Sequence, residues 1–255
     1  MQTFLSDGVA LAYLDLKPQN GDLGEPILLI HGFASSHRIN WVSPSWTTTL
    51  SRSGRRTILF DNRGHGMSEK LYDPSAYATP LMARDAANLL DHLGVARADV
   101  MGYSMGARIA SFLARARPER VRALLLGGLG AHLVEGVGLP LGIAAAMEAS
   151  SLDALTDPMQ RMFRAFAEQS GGDLRALAAC IRGSRQTLSA AEIGEIAAPT
   201  LVAVGTADAV AGDAHALAAL FPNGAALDIP GRDHNRAVGD RTYKDGVLAF
   251  LNERA

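Results

Sequence analysis

The sequence predicts an α/β fold, with a mostly parallel central sheet covered by helices on both faces and one helical insertion. Short, continuous apolar runs bounded by glycines recur along the chain, as expected of strands that are buried on both faces of a parallel sheet. Helical patterns separate these runs. Strands that alternate with helices in this way indicate a parallel sheet with right-handed crossovers.

The individual elements can be placed in order along the chain. Ser6-Asp7-Gly8 lies between two apolar runs and predicts a hairpin. Helical spacing of apolar residues predicts one helix between Thr79 and Gly94 and another from Met105 to Ala116. The core strands are predicted at residues 27–30, 57–60, 100–102, 123–126, 200–205 and 226–229.

The alternation of strands and helices breaks between residues 131 and 196. This stretch has no convincing strand, but Asp157-Pro158 is typical of a helix N-terminus and the SAAE sequence at 189–192 fits a capping box. We therefore predict a core domain formed by residues 1–130 and 197–255, with residues 131–196 as a helical insertion between two of its strands.

Composition narrows the possible partners and the compartment. The 255 residues are 48% hydrophobic and 20% charged, which is ordinary for a globular protein. A formal net charge of −2 gives no electrostatic reason to expect nucleic acid or a membrane as a partner. We recognise no signal peptide and no apolar stretch long enough to span a membrane, and so expect a cytoplasmic protein. The single cysteine, Cys180, excludes an intrachain disulfide and cannot form a zinc site by itself.

The stretch Gly-Tyr-Ser-Met-Gly at residues 102–106 places Ser104 where an apolar strand gives way to a helical pattern. A serine on such a turn projects its hydroxyl from the end of the sheet, and the flanking glycines permit close backbone approaches. The N-terminus of the following helix favours an anion that forms nearby. A turn that merely contains a serine is the simpler alternative, but its position between strand and helix favours a nucleophile.

A serine nucleophile needs a base and a group that orients the base. Of the seven histidines, only His234 follows the last predicted strand, at the carboxyl end of the sheet where ligand sites of open α/β folds gather. Asp208, three residues after Gly205, is the expected acid. Enzymes with a serine nucleophile on a turn of this kind have the chain order serine, acid, histidine. Asp213 is its main rival, but it is better explained as a helix N-cap. Asp233 is expected to be structural.

Acyl transfer also needs N–H donors for the negative oxygen of a tetrahedral intermediate. The backbone N–H of Met105, directly after the serine, is one candidate donor. The His-Gly-Phe-Ala turn at residues 31–34 offers the N–H of Phe33 as the other. Loss of one such donor typically costs roughly 3–4 kcal/mol of transition-state stabilisation. We therefore expect the backbone of this turn to contribute as much to catalysis as a catalytic side chain does.

Five stretches together resemble the α/β-hydrolase superfamily, in the order and spacing of that family. They are LLIHGFASS, LFDNRGHGMSEK, VMGYSMGARIA, PTLVAVGTAD and IPGRDH. The resemblance covers nearly the whole chain and implies the α/β-hydrolase fold, with Ser104 as nucleophile, His234 as base and Asp208 as acid. It also implies that the insertion at 131–196 is the helical cap, or lid, of that family.

The activity predicted from these residues is that of a serine hydrolase cleaving a small carboxylic ester or lactone through an acyl-enzyme on Ser104. No metal or organic cofactor is implied, and the chain is expected to be a monomer or a homodimer. Met147, Met162, Phe163 and Phe166 in the insertion could line an apolar acyl pocket. They could equally form the stripe by which the cap helices pack on the sheet.

Two alternative functions remain open at this point. GYSMGARIA is also similar to the elbow of a menaquinone-pathway synthase. That enzyme and the meta-cleavage product hydrolases use the same triad for lyase or carbon–carbon bond chemistry on anionic substrates, so an arginine of the cap facing Ser104 would favour them. A non-catalytic ligand-binding protein, like the hormone receptors of the superfamily, is less favoured because all three triad residues are present.

Overall fold

The computed structural model describes residues 1–19, 21–136 and 138–253. Within these ranges the centre of the molecule is an eight-stranded sheet with the strand order β1-β2-β4-β3-β5-β6-β7-β8. The pairs β1–β2 and β2–β4 are antiparallel, and every other pair is parallel. The strands are β1 (Gln2–Ser6), β2 (Val9–Leu16), β3 (Ile27–Ile30), β4 (Thr57–Phe60), β5 (Ala98–Tyr103), β6 (Val121–Gly127), β7 (Thr200–Gly205) and β8 (Gly224–Ile229).

The predicted fold class and strands are confirmed, because each predicted core strand lies within an observed one. The predicted hairpin is also present. It joins β1 to β2 through Asp7 at φ 48° and Gly8 at φ 85°, the pair of positive φ angles that lets a two-residue turn match the twist of its strands.

Helices cover both faces of the sheet. They are α1 (Trp46–Arg52), α2 (Thr79–His92), α3 (Met105–Ala116), α4 (His132–Glu135), α5 (Leu141–Glu148), α6 (Pro158–Gln169), α7 (Leu174–Gly183), α8 (Ala190–Gly194), α9 (Ala214–Ala218), α10 (His234–Ala237) and α11 (Arg241–Asn252). Shorter helical turns occupy Arg38–Val42, Pro74–Tyr77, Pro118–Arg120 and Leu152–Ala154. In the part of the chain that the structure describes, no helix is both long and apolar enough to cross a membrane.

Alternate residues of each central strand enter two apolar layers. In β3, Leu28 and Ile30 pack with α2 and α3 on one face, whereas Ile27 and Leu29 pack with α1 and α11 on the other. All four of these side chains are fully buried. This two-sided burial explains why the strands read as continuous apolar runs rather than as alternating patterns.

The stretch between β6 and β7 contains helices α4 to α8 and, among its described residues, no strand. The carboxylate of Asp157 accepts the N–H of Gln160 at the start of α6. Ser189 and Glu192 form the reciprocal hydrogen bonds of a capping box at the start of α8. Residue 137 lies outside the described residues, and the division into core and cap at 131 and 196 stays a prediction.

The parallel strands bring several loops to one edge of the sheet. The turn after β3, the residue after β5, the loop after β7 and the loop after β8 all follow carboxyl ends of neighbouring strands. These four positions hold the 31–34 turn, Ser104, Asp208 and His234. Ligand sites in open parallel sheets form at this edge, so the fold alone assembles the predicted site residues from distant parts of the chain.

Candidate active site

Ser104 lies on a sharp turn between β5 and α3, with φ 55° and ψ −114°. Positive φ is uncommon for a residue that carries a side chain, and here the surrounding backbone enforces it. A Cβ atom added at Gly106 would lie 2.0 Å from the backbone oxygen of Ile30, and one added at Gly102 would lie 2.2 Å from that of Gly106. Neither position can hold a larger residue, which gives the Gly-x-Ser-x-Gly spacing its physical reason.

The structure brings the three residues of the predicted triad together. The Nε2 atom of His234 lies 3.0 Å from Ser104 Oγ, and its Nδ1 atom lies 2.7 Å from Asp208 Oδ2. The other carboxylate oxygen of Asp208 accepts the N–H groups of Val210 and Ala211, at 2.8 Å and 3.1 Å. The side chain of Asp208 is fully buried. The carboxylate is therefore held on one side by the backbone and presents its free oxygen to the imidazole.

The two other aspartates considered from the sequence are helix N-caps. Asp213 accepts the first N–H groups of α9, from His215 and Ala216. Asp233 accepts those of α10, from Asn235 and Arg236, and so fixes the start of the short helix whose first residue is His234. The structural interpretation of both residues agrees with these contacts.

Tyr103 is a site residue that sequence reasoning missed. Its hydroxyl donates a hydrogen bond to the backbone oxygen of His234 at 2.6 Å, and its ring lies 5.6 Å from the imidazole ring. Burial raises the pKa of the Tyr103 hydroxyl well above its usual range, so it remains a donor. The residue directly before the serine therefore ties the backbone of the histidine to the end of β5.

The 31–34 turn lies directly against the serine. A Cβ atom added at Gly32 would lie 3.4 Å from Ser104 Cβ, and the N–H of Gly32 is held by the side-chain oxygen of Asn40 at 2.9 Å. Ala34 has φ 55°, and its backbone oxygen accepts the hydroxyl of Ser170, just after α6, at 2.7 Å. Asn40 and Ser170 were not anticipated from the sequence, because each acts on the turn from another part of the chain.

A buried polar cluster supports this turn from behind. Asp61 accepts hydrogen bonds from the backbone and ring of His37, at 2.7 and 2.8 Å, and from the N–H of Met67 at 2.8 Å. Burial alone would raise the pKa of Asp61, but the hydrogen bond from the His37 side chain, the charge of His31 and the backbone N–H bonds lower it to about 2. Asp61 is thus an ionised anchor for the loops on either side of it.

His65 in the same cluster is buried in its neutral form. Its Nδ1 atom lies 2.9 Å from the backbone oxygen of Arg63, and its buried Nε2 atom has no hydrogen-bond partner among the described residues. Burial, followed by the charge of His31, lowers the pKa of His65 to about 3. Burial likewise lowers the pKa of His31.

We expect acid to destabilise the protein from about pH 6.5 downwards. Between the ordinary pKa of 6.5 and the folded value of about 3 for His65, the unfolded chain binds a proton that the folded chain excludes. The free energy of unfolding should therefore be about 2 kcal/mol lower at pH 5 than at pH 8 from this histidine. Urea denaturation at the two pH values measures the difference.

Replacing His65 with asparagine should reduce this difference in stability, whereas the same change at the exposed His215 should not. Equal stability of the wild type at both values would contradict the expectation.

Two cavities adjoin Ser104, and Ser104 and Phe33 line both. The larger has a volume of about 460 Å³ and the smaller about 140 Å³. Of the four insertion residues named from the sequence, three line the smaller cavity: Met162, Phe163 and Phe166. Met147 is buried and is not among the described residues that line either cavity.

Arg108, one turn after the serine in α3, lines the larger cavity and is buried. Its guanidinium donates to the backbone oxygens of His132, Leu133, Gly136 and Gln186. No carboxylate forms an ion pair with it in the ranges that the structure describes. Burial, and then the charge of Arg185, lowers the pKa of Arg108 to about 10, so it is still a cation near neutrality.

The fold and the geometry around Ser104 define an α/β hydrolase, and comparison with known proteins leads to the same family. The family model for the alpha/beta hydrolase fold matches residues 25–132. A Mycobacterium tuberculosis protein, provisionally named non-heme bromoperoxidase BpoC, is 33% identical over 247 residues, covering 87% of this chain and 91% of that protein. The chain belongs to the α/β-hydrolase family.

Two further similarities fall within the same family. A Bacillus subtilis protein, provisionally named 2-succinyl-6-hydroxy-2,4-cyclohexadiene-1-carboxylate synthase, is 34% identical over 123 residues. That match covers 48% of this chain and 42% of the relative, so it spans less than half the length of either protein. The crystal structure of a hydrolase from Pseudomonas aeruginosa is 26% identical, with a TM-score of 0.77, and covers 98% of this chain and 97% of that chain.

Proposed function

We propose that the protein is a serine hydrolase that cleaves a small carboxylic ester or lactone through an acyl-enzyme on Ser104. The observation that carries this proposal is the continuous hydrogen-bonded path from Ser104 Oγ through the imidazole of His234 to the buried carboxylate of Asp208, with steps of 3.0 and 2.7 Å. A serine hydroxyl becomes an effective nucleophile only when a base accepts its proton and a third group orients that base.

In the acylation step, Ser104 Oγ attacks the substrate carbonyl while His234 Nε2 accepts its proton. Asp208 keeps the N–H of the imidazole on Nδ1 and stabilises the imidazolium that forms. We assign the negative oxygen of the tetrahedral intermediate to the N–H groups of Phe33 and Met105. Met105 is the first residue of α3, so its N–H is one of those that have no acceptor within the helix.

Acylation ends when the bond between the carbonyl carbon and the alcohol oxygen breaks, the departing alcohol takes the proton of the imidazolium, and the acyl-enzyme is left on Ser104. The same imidazole then accepts a proton from the water that attacks the acyl-enzyme. It returns this proton to Ser104 Oγ when the second tetrahedral intermediate collapses and releases the carboxylic acid. The nucleophile, the base and the acid on this route are all side chains of this protein. We further propose that helices α4 to α8 act as the cap that encloses the acyl group.

The second candidate is a carbon–carbon hydrolase or a synthase-like lyase, both of which act on an anionic substrate. The buried cation of Arg108 in the cavity beside Ser104 favours it, although this arginine lies in α3 and not in the insertion. Two observations weigh against it: four backbone oxygens occupy the terminal N–H groups of this guanidinium, and Glu135 brings a negative charge to the same cavity. We therefore rank ester or lactone cleavage first.

A fluorophosphonate probe tests the proposal directly, because it reacts with an activated serine and not with an ordinary hydroxyl. We expect one label per chain, on the peptide that contains Ser104, and complete loss of p-nitrophenyl ester hydrolysis in the labelled protein. The Ser104→Ala chain should take no label. Ser111→Ala, which removes a buried hydroxyl from helix α3 directly after Ser104, should be labelled like the wild type. Labelling without turnover of any ester or lactone would favour the second candidate. A folded protein with neither labelling nor turnover would favour a ligand-binding role.

A further inference from the structure

The two cavities around Ser104 differ in their access to the histidine. His234 lines the smaller cavity, together with Asn235 and Val238 from the same loop and helix. It is not among the described residues that line the larger cavity. The base therefore faces one side of the nucleophile.

The chemistry of acyl transfer makes this asymmetry meaningful. When the tetrahedral intermediate collapses, the bond between the carbonyl carbon and the alcohol oxygen breaks, and that oxygen takes the proton carried by His234 Nε2. The leaving oxygen must therefore lie within hydrogen-bond reach of the imidazole. The acyl substituent is a different branch of the same tetrahedral carbon, and so it points away from the histidine.

We propose that the acyl group of the substrate occupies the larger cavity and the alcohol group the smaller one, an inference that rests on the proposed function. The cavity of about 460 Å³ has more than three times the volume of the one of about 140 Å³, so it accommodates the longer branch of the substrate. The substrates are therefore esters of a medium-length acyl chain with a small alcohol.

The residues around the larger cavity suit an apolar chain. Apolar side chains from α2, α3, α6, α7 and the 138–140 segment line part of its wall: Met82, Ile109, Leu139, Pro140, Met159 and Ile181. Its charged residues, Arg108 and Glu135, are of opposite sign. An acyl chain can therefore be buried there without carrying a charge of its own.

Helix α6 borders both cavities. Met159, in its first turn, lines the larger cavity, whereas Phe166, two turns later, lines the smaller one. These two positions determine the specificity of the site from opposite ends of one helix. Each can be altered without touching Ser104, His234 or Asp208.

A pair of isomeric esters tests this assignment. Ethyl octanoate and octyl acetate contain the same atoms and differ only in which side of the ester carries the long chain. We expect kcat/KM, measured by titration of the released acid, to be at least about tenfold higher for ethyl octanoate, since exclusion of even one methylene from a pocket costs this much.

Variants on α6 extend the test. The readout is the ratio of kcat/KM for ethyl octanoate to kcat/KM for octyl acetate, because this ratio is independent of the folded fraction. Met159→Trp should lower the ratio by filling the acyl cavity, and Phe166→Ala should lower it by admitting a longer alcohol. Gln169→Ala, at an exposed position of the same helix, should leave it unchanged. Equal rates for the two isomers, or a preference for octyl acetate, would overturn the inference and leave the proposed function standing if Ser104 is labelled. Hydrolysis of neither isomer would also overturn it, and failure to label Ser104 would then remove the proposed function as well.

Discussion

Replacement of Asp208 with asparagine will lower kcat for ester hydrolysis by about 10⁴-fold, as the equivalent change does in serine proteases, with little loss of stability. The substitution preserves size, and the amide oxygen can still accept the N–H groups of Val210 and Ala211, as the carboxylate does now. What changes is the group presented to the imidazole. An amide NH₂ in place of Asp208 Oδ2 donates a hydrogen bond to His234 Nδ1 and leaves the proton of the imidazole on Nε2. That tautomer cannot accept the proton of Ser104.

The chain provides a matched control for this experiment. Asp213→Asn is the same chemical change five residues away, at a helix N-cap where asparagine serves as well as aspartate. Its kcat should equal that of the wild type. Comparison of thermal unfolding for both variants separates an effect on the imidazole from a loss of folded protein. A large loss of activity in the Asp213 variant, with none in the Asp208 variant, would show that the acid has been misassigned.

Replacement of Gly106 with alanine will destabilise the protein by more than about 3 kcal/mol, the range of strongly overpacked core sites. In an isolated helix the change would be favourable by up to about 1 kcal/mol, because alanine has the higher helix propensity. Here the new methyl group would lie 2.0 Å from the backbone oxygen of Ile30 and 2.7 Å from that of His31. Neither oxygen can move without shifting β3 and the 31–34 turn, so the steric clash outweighs the propensity.

Gly194→Ala is the natural comparison for this substitution. Gly194 ends α8, is exposed, and its added methyl group would meet nothing closer than the backbone oxygen of Leu220 at 3.9 Å. We expect that variant to unfold at the same urea concentration as the wild type or slightly higher. If Gly106→Ala were as stable as Gly194→Ala, the close contact between α3 and the end of β3 could not be the reason for the glycine.

The parts of this molecule that follow from local patterns could be predicted from the sequence. A strand buried on both faces must be apolar throughout, so β3 and β7 were recognisable as short runs between glycines. The turn at Ser104 can be recognised in the sequence because close backbone contacts exclude every residue but glycine at positions 102 and 106. The positions of Asp208 and His234 follow from topology, since loops after parallel strands meet at one edge of the sheet.

The parts that depend on contacts between distant residues could not be predicted. Nothing in the local sequence indicates that the Tyr103 hydroxyl reaches the backbone of His234, or that Asn40 holds the N–H of Gly32. The same limit applies to the insertion. The sequence marks Met147, Met162, Phe163 and Phe166 as apolar residues of the insertion. Only the packed structure shows that the last three line the smaller cavity and that Met159 lines the larger one.

Because helix α6 borders both cavities, a change in its backbone position alters the selectivity for the acyl group and the selectivity for the alcohol group together. A shift of the α6 backbone moves Met159 in the wall of the larger cavity and Phe166 in the wall of the smaller one at the same time. The hydroxyl of Ser170, at the end of the helix, would pull on the oxygen of Ala34 during the same movement. Laboratory evolution towards a bulkier alcohol should therefore favour side-chain truncations on α6, because each of these changes one cavity at a time.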